Sequence, residues 1–142
     1  MKSCFLIGHR DAPITVLPEL IQEIERYIME YGVYDFVVGR YGSFDRLAAI
    51  AVSETLLHPY AFDLPLSKSE EFDAVFYLPG MESVPKRLAI VRANQYMIEH
   101  STHLIAYVSH PSVGSRMVFE AALARQKRGL MCVTNIAGRH PY

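Results

Sequence analysis

The chain has 142 residues, half of them hydrophobic and a fifth charged, a globular composition that excludes intrinsic disorder. Its formal net charge is -1, with acidic and basic residues interspersed, so no general electrostatic attraction to nucleic acid or to an acidic membrane is expected. No apolar run approaches the roughly 18 residues of a membrane span, and the opening MKSCFLIGHRD lacks the length and cleavage site of a signal peptide.

Residues 1–142 are therefore expected to form one cytoplasmic domain. Cys4-Phe5-Leu6-Ile7 reads as a buried strand ended by Gly8. Leu17 to Tyr31 reads as a helix, with Leu17, Leu20, Ile21, Ile24 and Ile28 on one face and Gly32 as its stop. Phe36-Val37-Val38 is a second strand, and Phe44 to Leu57 a second helix closed by His58-Pro59. Tyr60 to Leu66 is a third extended stretch, which Pro65 would confine to an edge, and Asp73 to Leu78 a fourth. The spacing then predicts a helix over Pro85–Ser101, a strand over Leu104–Val108, a helix over Val113–Lys127 and a last strand over Leu130–Val133. Strands and helices that alternate, with near-continuous apolar strands, imply an α/β fold: a mostly parallel, doubly wound, Rossmann-like sheet covered by helices on both faces. Cys4 and Cys132 lie in apolar strands at opposite ends of the chain and are expected to be buried free thiols.

In such a sheet, ligands bind beyond the carboxyl ends of the strands, where the chain order reverses. Three strands end in polar, turn-forming sequence: Gly8-His9-Arg10-Asp11, Gly39-Arg40-Tyr41-Gly42-Ser43, and Ser109-His110-Pro111 through Gly114-Ser115. The alternation brings all three to one edge. Gly39 and Gly42 permit positive φ and close backbone approach. Ser43 suits an N-cap, and Asp45 falls in the first helical turn. Free N–H groups there would attract an anion such as phosphate, although a capped strand-to-helix turn has the same composition. Arg10 suits a bidentate phosphate or carboxylate contact, and His9 either proton transfer or a hydrogen bond within the turn.

On the third helix, Arg87, Val91, Asn94, Ile98 and Ser101 form one stripe, with Arg92 off it. An amide in a core-facing stripe needs a partner, from a loop or from a ligand. Glu120 interrupts the apolar Met117-Val118-Phe119 and Ala121-Ala122, which reads either as a buried carboxylate with a raised pKa or as a solvent-facing one. The six histidines form no metal set, and no cofactor is implied.

Four stretches, CFLIGHRDAP, VGRYGSFDRLA, PGMESVPKRLAIVRANQYM and HLIAYVSHPSVGS, together resemble the YpsA-like branch of the SLOG superfamily. That superfamily also includes the Lonely guy phosphoribohydrolases and the DNA-processing protein that loads recombinase. The resemblance spans nearly the whole chain and implies a Rossmann-like fold, a nucleotide or nucleotide derivative as ligand, and a homodimer, with which the apolar last helix is compatible. By position, Gly8, His9 and Arg10 look like the family's first loop. Gly39, Tyr41, Gly42, Ser43, Phe44 and Asp45 look like its glycine-rich loop and helix start. Arg87, Arg92 and Asn94 resemble its helix motif, and Gly114 and Ser115 a second phosphate-facing helix start.

The chain also departs from its relatives. Arg40 stands where they often have a second glycine, and the segment from Tyr60 to Asp73 is shorter. The Lonely guy motif P-G-G-x-G-T-x-x-E is incomplete: the proline is missing, and Arg46-Leu47 stands at its acidic end. The expected function is therefore a binding module for a small phosphate-bearing ligand such as ADP-ribose or a nucleoside monophosphate. Arg10 and Arg40 would neutralise the phosphate, and Asp45 or Asn94 would bond ribose or base. The alternative is a nucleoside-monophosphate phosphoribohydrolase with Glu120 or Asp45 as catalytic carboxylate. Nucleic-acid binding, the third reading, is opposed by the near-zero charge.

Overall fold

The computed structural model describes residues 2–39, 42–57, 86–109 and 113–139, with side chains for all of these except 56–57, 86–90, 113–115 and 138–139. In chain order the elements are β1 (Ser3–Gly8), a 3-10 turn (Ile14–Val16), α1 (Leu17–Arg26) continued by a π-helical turn (Tyr27–Tyr31), and β2 (Asp35–Val38). Then follow α2 (Ser43–Leu57), α3 (Lys86–His100), β3 (His103–Tyr107), α4 (Val113–Lys127), β4 (Cys132–Asn135) and a 3-10 turn (Ile136–Arg139). The four described strands are parallel, in the order β2-β1-β3-β4. The two stretches read as extended, Tyr60 to Leu66 and Asp73 to Leu78, lie outside the described residues.

Alternation along β1 sends Cys4 and Leu6 to one face of the sheet and Phe5 and Ile7 to the other. All four are buried, which is why the run is apolar throughout. On the first face α1 packs with α2. Leu20 and Ile24 of α1 are fully enclosed there, each worth about 2 kcal/mol of burial. On the second face α3 and α4 bring Met97, Ile98 and Ala122 against Phe5, Ile7, Leu104 and Ala106. Helices on both faces of a parallel sheet make this an α/β, Rossmann-like, doubly wound fold. Among the described residues no helix is long and apolar enough to cross a membrane.

Helix ends follow local chemistry. Pro18 opens α1, and Gly32 ends the π-helical turn with φ 69°, a left-handed conformation open to glycine at no steric cost. The last strand begins two residues later than its apolar run. The Leu130 amide still donates to the Arg125 carbonyl in the turn that ends α4 at Gly129 (φ 74°), and the ladder starts where the Cys132 amide donates to the Thr102 carbonyl. Leu130 is left exposed. Cys4 is buried and Cys132 half-buried, both as free thiols. Enclosure pushes the Cys4 thiol well above its ordinary pKa.

Candidate functional site

β1 lies inside the sheet, with β2 on one side and β3 on the other. The chain leaves β1 toward α1 on one face and leaves β3 toward α4 on the opposite face. This divergence is the topological switch point, and the exit loops of β1, β2 and β3 meet around it.

The three glycines of these loops are explained by contacts within the chain. A Cβ on Gly8 would stand 2.3 Å from the Phe44 ring, which lies flat on the end of β1 from the first turn of α2. A Cβ on Gly39 would stand 2.6 Å from Oδ2 of Asp45. At Gly42 the φ of 102° favours glycine by itself, and the space beside it is filled by Arg10, whose Cα would be 2.8 Å away. The glycines thus let the β1 and β2 exits pack closely against α2. The Ser43 amide donates to the Arg10 carbonyl at 2.8 Å, closing the two loops onto each other.

Ser43 does not cap α2, as its position in sequence led us to expect. It is the first helical residue, and its hydroxyl donates to the Ala12 carbonyl at 2.7 Å. The Gly42 carbonyl accepts the amide of Arg46, so Gly42 stands in the capping place, where glycine is well tolerated. Asp45 occupies the first turn, with its negative end toward the positive end of the helix dipole.

His9 is buried and bonded within the fold. Nε2 accepts a hydrogen bond from the Ser109 amide at 2.9 Å, across the switch point. Its ring meets the Tyr107 ring edge-on at 5.9 Å, and Tyr107 lies parallel to Phe44 with centroids 6.4 Å apart. Asn135, which the sequence reading passed over, secures the same edge from β4. Its amide accepts from the Val108 N–H at 3.2 Å and donates to the Val108 carbonyl at 3.1 Å, adding one more rung to the β3–β4 ladder. A polar residue closing an apolar strand was the only signal for it.

The structure therefore joins Gly8, His9, Arg10, Gly39, Gly42, Ser43 and Asp45 in one group, with the Arg10 side chain exposed at its lip. Arg40 and Tyr41 lie outside the described residues, as do the side chains of Arg87 and Ser115. The backbone of Arg87 is in the first turn of α3 and those of Gly114 and Ser115 in the first turn of α4. Helices that run against parallel strands begin at the exit edge, so both helix starts belong there.

Arg92 is exposed, and Asn94 is half-buried about 12 Å along α3 from its start. Among the described side chains of the stripe, Ile98 and Ser101 are buried and Val91 is exposed. Glu120 is not a buried carboxylate. It is exposed on α4 and accepts from Nε of Arg116 one turn back at 2.9 Å, an ordinary surface pair. Of the two alanines after it, Ala121 is exposed and Ala122 turns to the core.

A second polar group, absent from the sequence reading, lies under α1. Glu23 is 1 % exposed. Its Oε1 accepts from Nε of Arg26 at 2.9 Å and from a second guanidinium nitrogen. That guanidinium also reaches Glu30 at 2.9 Å and lies over the rings of Tyr27 and Tyr31. The Tyr27 hydroxyl donates to the Leu104 carbonyl at 3.2 Å and lies 2.7 Å from Oγ1 of Thr134. Burial pushes the Tyr27 phenol above its ordinary pKa, while bonding to Glu23 holds Arg26 firmly protonated. His103, at the start of β3, packs against both tyrosines, and desolvation, with Lys2 adding to it, lowers its pKa. The network docks α1 and its π-helical turn on β3 and β4. Its one sequence signal was Glu23 midway between Leu20 and Tyr27 on the buried stripe. Among the described residues no group of three His, Cys, Asp or Glu could hold a metal ion.

Compared with known protein families, curated proteins and solved structures, the chain matches none of them.

Proposed function

We propose that this chain binds a nucleotide or nucleotide derivative, ADP-ribose-like or a nucleoside monophosphate, at the exit edge of its sheet, as a sensing or sequestering module. The observation that carries the reading is the meeting of the β1, β2 and β3 exit loops at a topological switch point, where α/β sheets bind such ligands. Of the residues in the SLOG-like motifs, Gly8, His9, Arg10, Gly39, Gly42, Ser43 and Asp45 lie at this edge, in keeping with the resemblance to the YpsA-like branch.

The internal packing of the glycines refines the assignment of roles. Gly8, Gly39 and Gly42 are covered by Phe44, Asp45 and Arg10, so the ligand's phosphate meets the exposed guanidinium of Arg10, with Arg40, and the start of α4 at Gly114 and Ser115. The Asp45 carboxylate beside Gly39 suits hydroxyl donors, such as a ribose diol, better than an anion. The working state in this proposal is a cytoplasmic homodimer.

A thermal-shift panel of AMP, ADP-ribose, NAD and cyclic nucleotides tests it. A ligand at 100 times its Kd stabilises by about 2.7 kcal/mol. If none of these phosphate-bearing compounds raises the Tm, the pocket proposal falls.

Asp45 in the first turn of α2 keeps a second reading in play, hydrolysis of a nucleotide N-glycosidic bond. With Glu120 on the surface of α4, that reading rests on Asp45 as the carboxylate that stabilises the ribosyl cation or activates water. Release of adenine from AMP, lost in Asp45→Asn and retained in Glu120→Gln, would establish it in place of binding alone.

A further inference from the structure

We propose that Tyr107 is a specificity-determining residue of the exit-edge site, its hydroxyl donating a hydrogen bond to an oxygen of the bound nucleotide. This rests on the nucleotide reading and deepens it with a residue to which the resemblance gives no role.

Tyr107 is the last residue of β3 and stands opposite Gly8, the last residue of β1. These neighbouring strands are the two whose exits part to opposite faces of the sheet, so Tyr107 stands at the switch point itself. Its side chain packs on the α1 and α2 face, with Leu6 and Ile105. Gly8 has no side chain to fill the place beside it, and Phe44 covers that place from α2. The planes of the Tyr107 and Phe44 rings differ by 5°, with centroids 6.4 Å apart. The His9 ring meets Tyr107 edge-on at 5.9 Å.

These contacts hold the ring and leave the hydroxyl unused. Tyr27, Tyr31 and Tyr107 are the described tyrosines that the fold encloses wholly or in part. The Tyr27 hydroxyl bonds Leu104 and Thr134, and that of Tyr31 accepts from Arg26 at 3.4 Å. The Tyr107 hydroxyl has no hydrogen-bond partner among the described residues, and it is not an enclosed atom. Enclosed phenols find a partner within the fold, as Tyr27 does. A phenylalanine would make the ring contacts of Tyr107 equally well. The oxygen is therefore the part that packing does not need, and it opens to solvent at the edge where parallel sheets bind ligands.

A phenol O–H donates to a phosphate oxygen or to a ribose oxygen. With its ring already held by Phe44 and His9, the donor is in place before the ligand arrives, so little further ordering is lost on binding. The exposed guanidinium of Arg10 attracts any anion by charge. A neutral donor at a fixed point instead selects for an acceptor at the right position, which is how a polar contact contributes to specificity.

Tyr107→Phe tests this in the whole chain, by calorimetric titration with AMP and ADP-ribose alongside thermal unfolding. The expected result is binding about tenfold weaker than in the wild type, as loss of one hydrogen bond implies, with an unchanged Tm. Tyr27→Phe is the mirror case: its hydroxyl is bonded inside the fold, so its Tm should fall while its affinity is kept. Equal affinity in Tyr107→Phe and the wild type overturns the proposal and leaves the nucleotide reading standing. A Tm as low in Tyr107→Phe as in Tyr27→Phe also overturns it, because the hydroxyl is then bonded within the chain. If the wild type binds neither compound, the nucleotide reading fails and this inference falls with it. Titration with adenosine identifies the acceptor: a tenfold loss for AMP alone assigns a phosphate oxygen, and the same loss for both assigns a ribose oxygen.

Discussion

Two polar regions of this protein differ in how the chain builds them. At the exit edge, polar and small residues occur in blocks at the ends of apolar strands, and their contacts lie among three loops that the fold brings together. Under α1, single polar residues interrupt an apolar stripe, and Tyr27 finds its partners Leu104 and Thr134 far along the chain. The first arrangement tolerates solvent and leaves Arg10 exposed. The second encloses a carboxylate and a phenol and must satisfy both internally. At the strand ends one side chain, that of Arg10, thus reaches solvent, whereas the polar groups inside the helix stripe are committed to holding the helix.

The largest expected effects lie at the exit edge, where the glycines have no room to spare. Gly8→Ala should cost about 3 kcal/mol, because the buried Phe44 ring cannot yield without disturbing α2. Gly42→Ala should cost about 2 to 3 kcal/mol, from its positive φ and from backbone contact with Arg10. Urea unfolding measures both. A change under about 0.5 kcal/mol at either site would mean that the glycine is kept open for a ligand and not for packing, and would erase the contrast drawn here.

Next come the groups under α1. Glu23→Ala should cost about 1 to 2 kcal/mol; the usual cost of breaking a buried pair is discounted because Arg26 is a third exposed and can be rehydrated. Glu23→Met, which keeps the volume, should lie within about 1 kcal/mol of the wild type. Equal losses in the two variants would show that the charge itself is required. Tyr27→Phe should cost about 1 kcal/mol through its two lost bonds. It should also change the alkaline limb. The folded chain keeps the Tyr27 proton that the unfolded chain releases above the ordinary phenol value of 10.0, so wild-type stability falls as pH rises past that value. Tyr27→Phe should remove that component of the slope.

The smallest effects concern His103 and Glu120. Burial depresses the His103 pKa below 6.5, so between its folded and unfolded values the unfolded chain binds the extra proton. Stability therefore drops as pH falls below 6.5, and denaturation midpoints of His103→Gln across that range should show a shallower decline. Glu120→Gln should shift stability by no more than about 0.5 kcal/mol, as for other exposed pairs one helical turn apart.

Element types and order could be read from the chain because apolar periodicity reports which side of each segment is covered. Leu20 and Ile24 identify α1 and its inner face, and the unbroken Cys4-Phe5-Leu6-Ile7 identifies a strand covered on both sides. From these alone follow a parallel sheet, helices on both faces and a polar exit edge. Tertiary structure decided what each polar residue does, since composition cannot name a partner that lies far along the chain. His9 is a tie to Ser109, Gly39 makes room for Asp45, Glu120 belongs to the surface and Glu23 to the interior. Periodicity separates inside from outside; only the packed fold fixes which buried donor meets which acceptor.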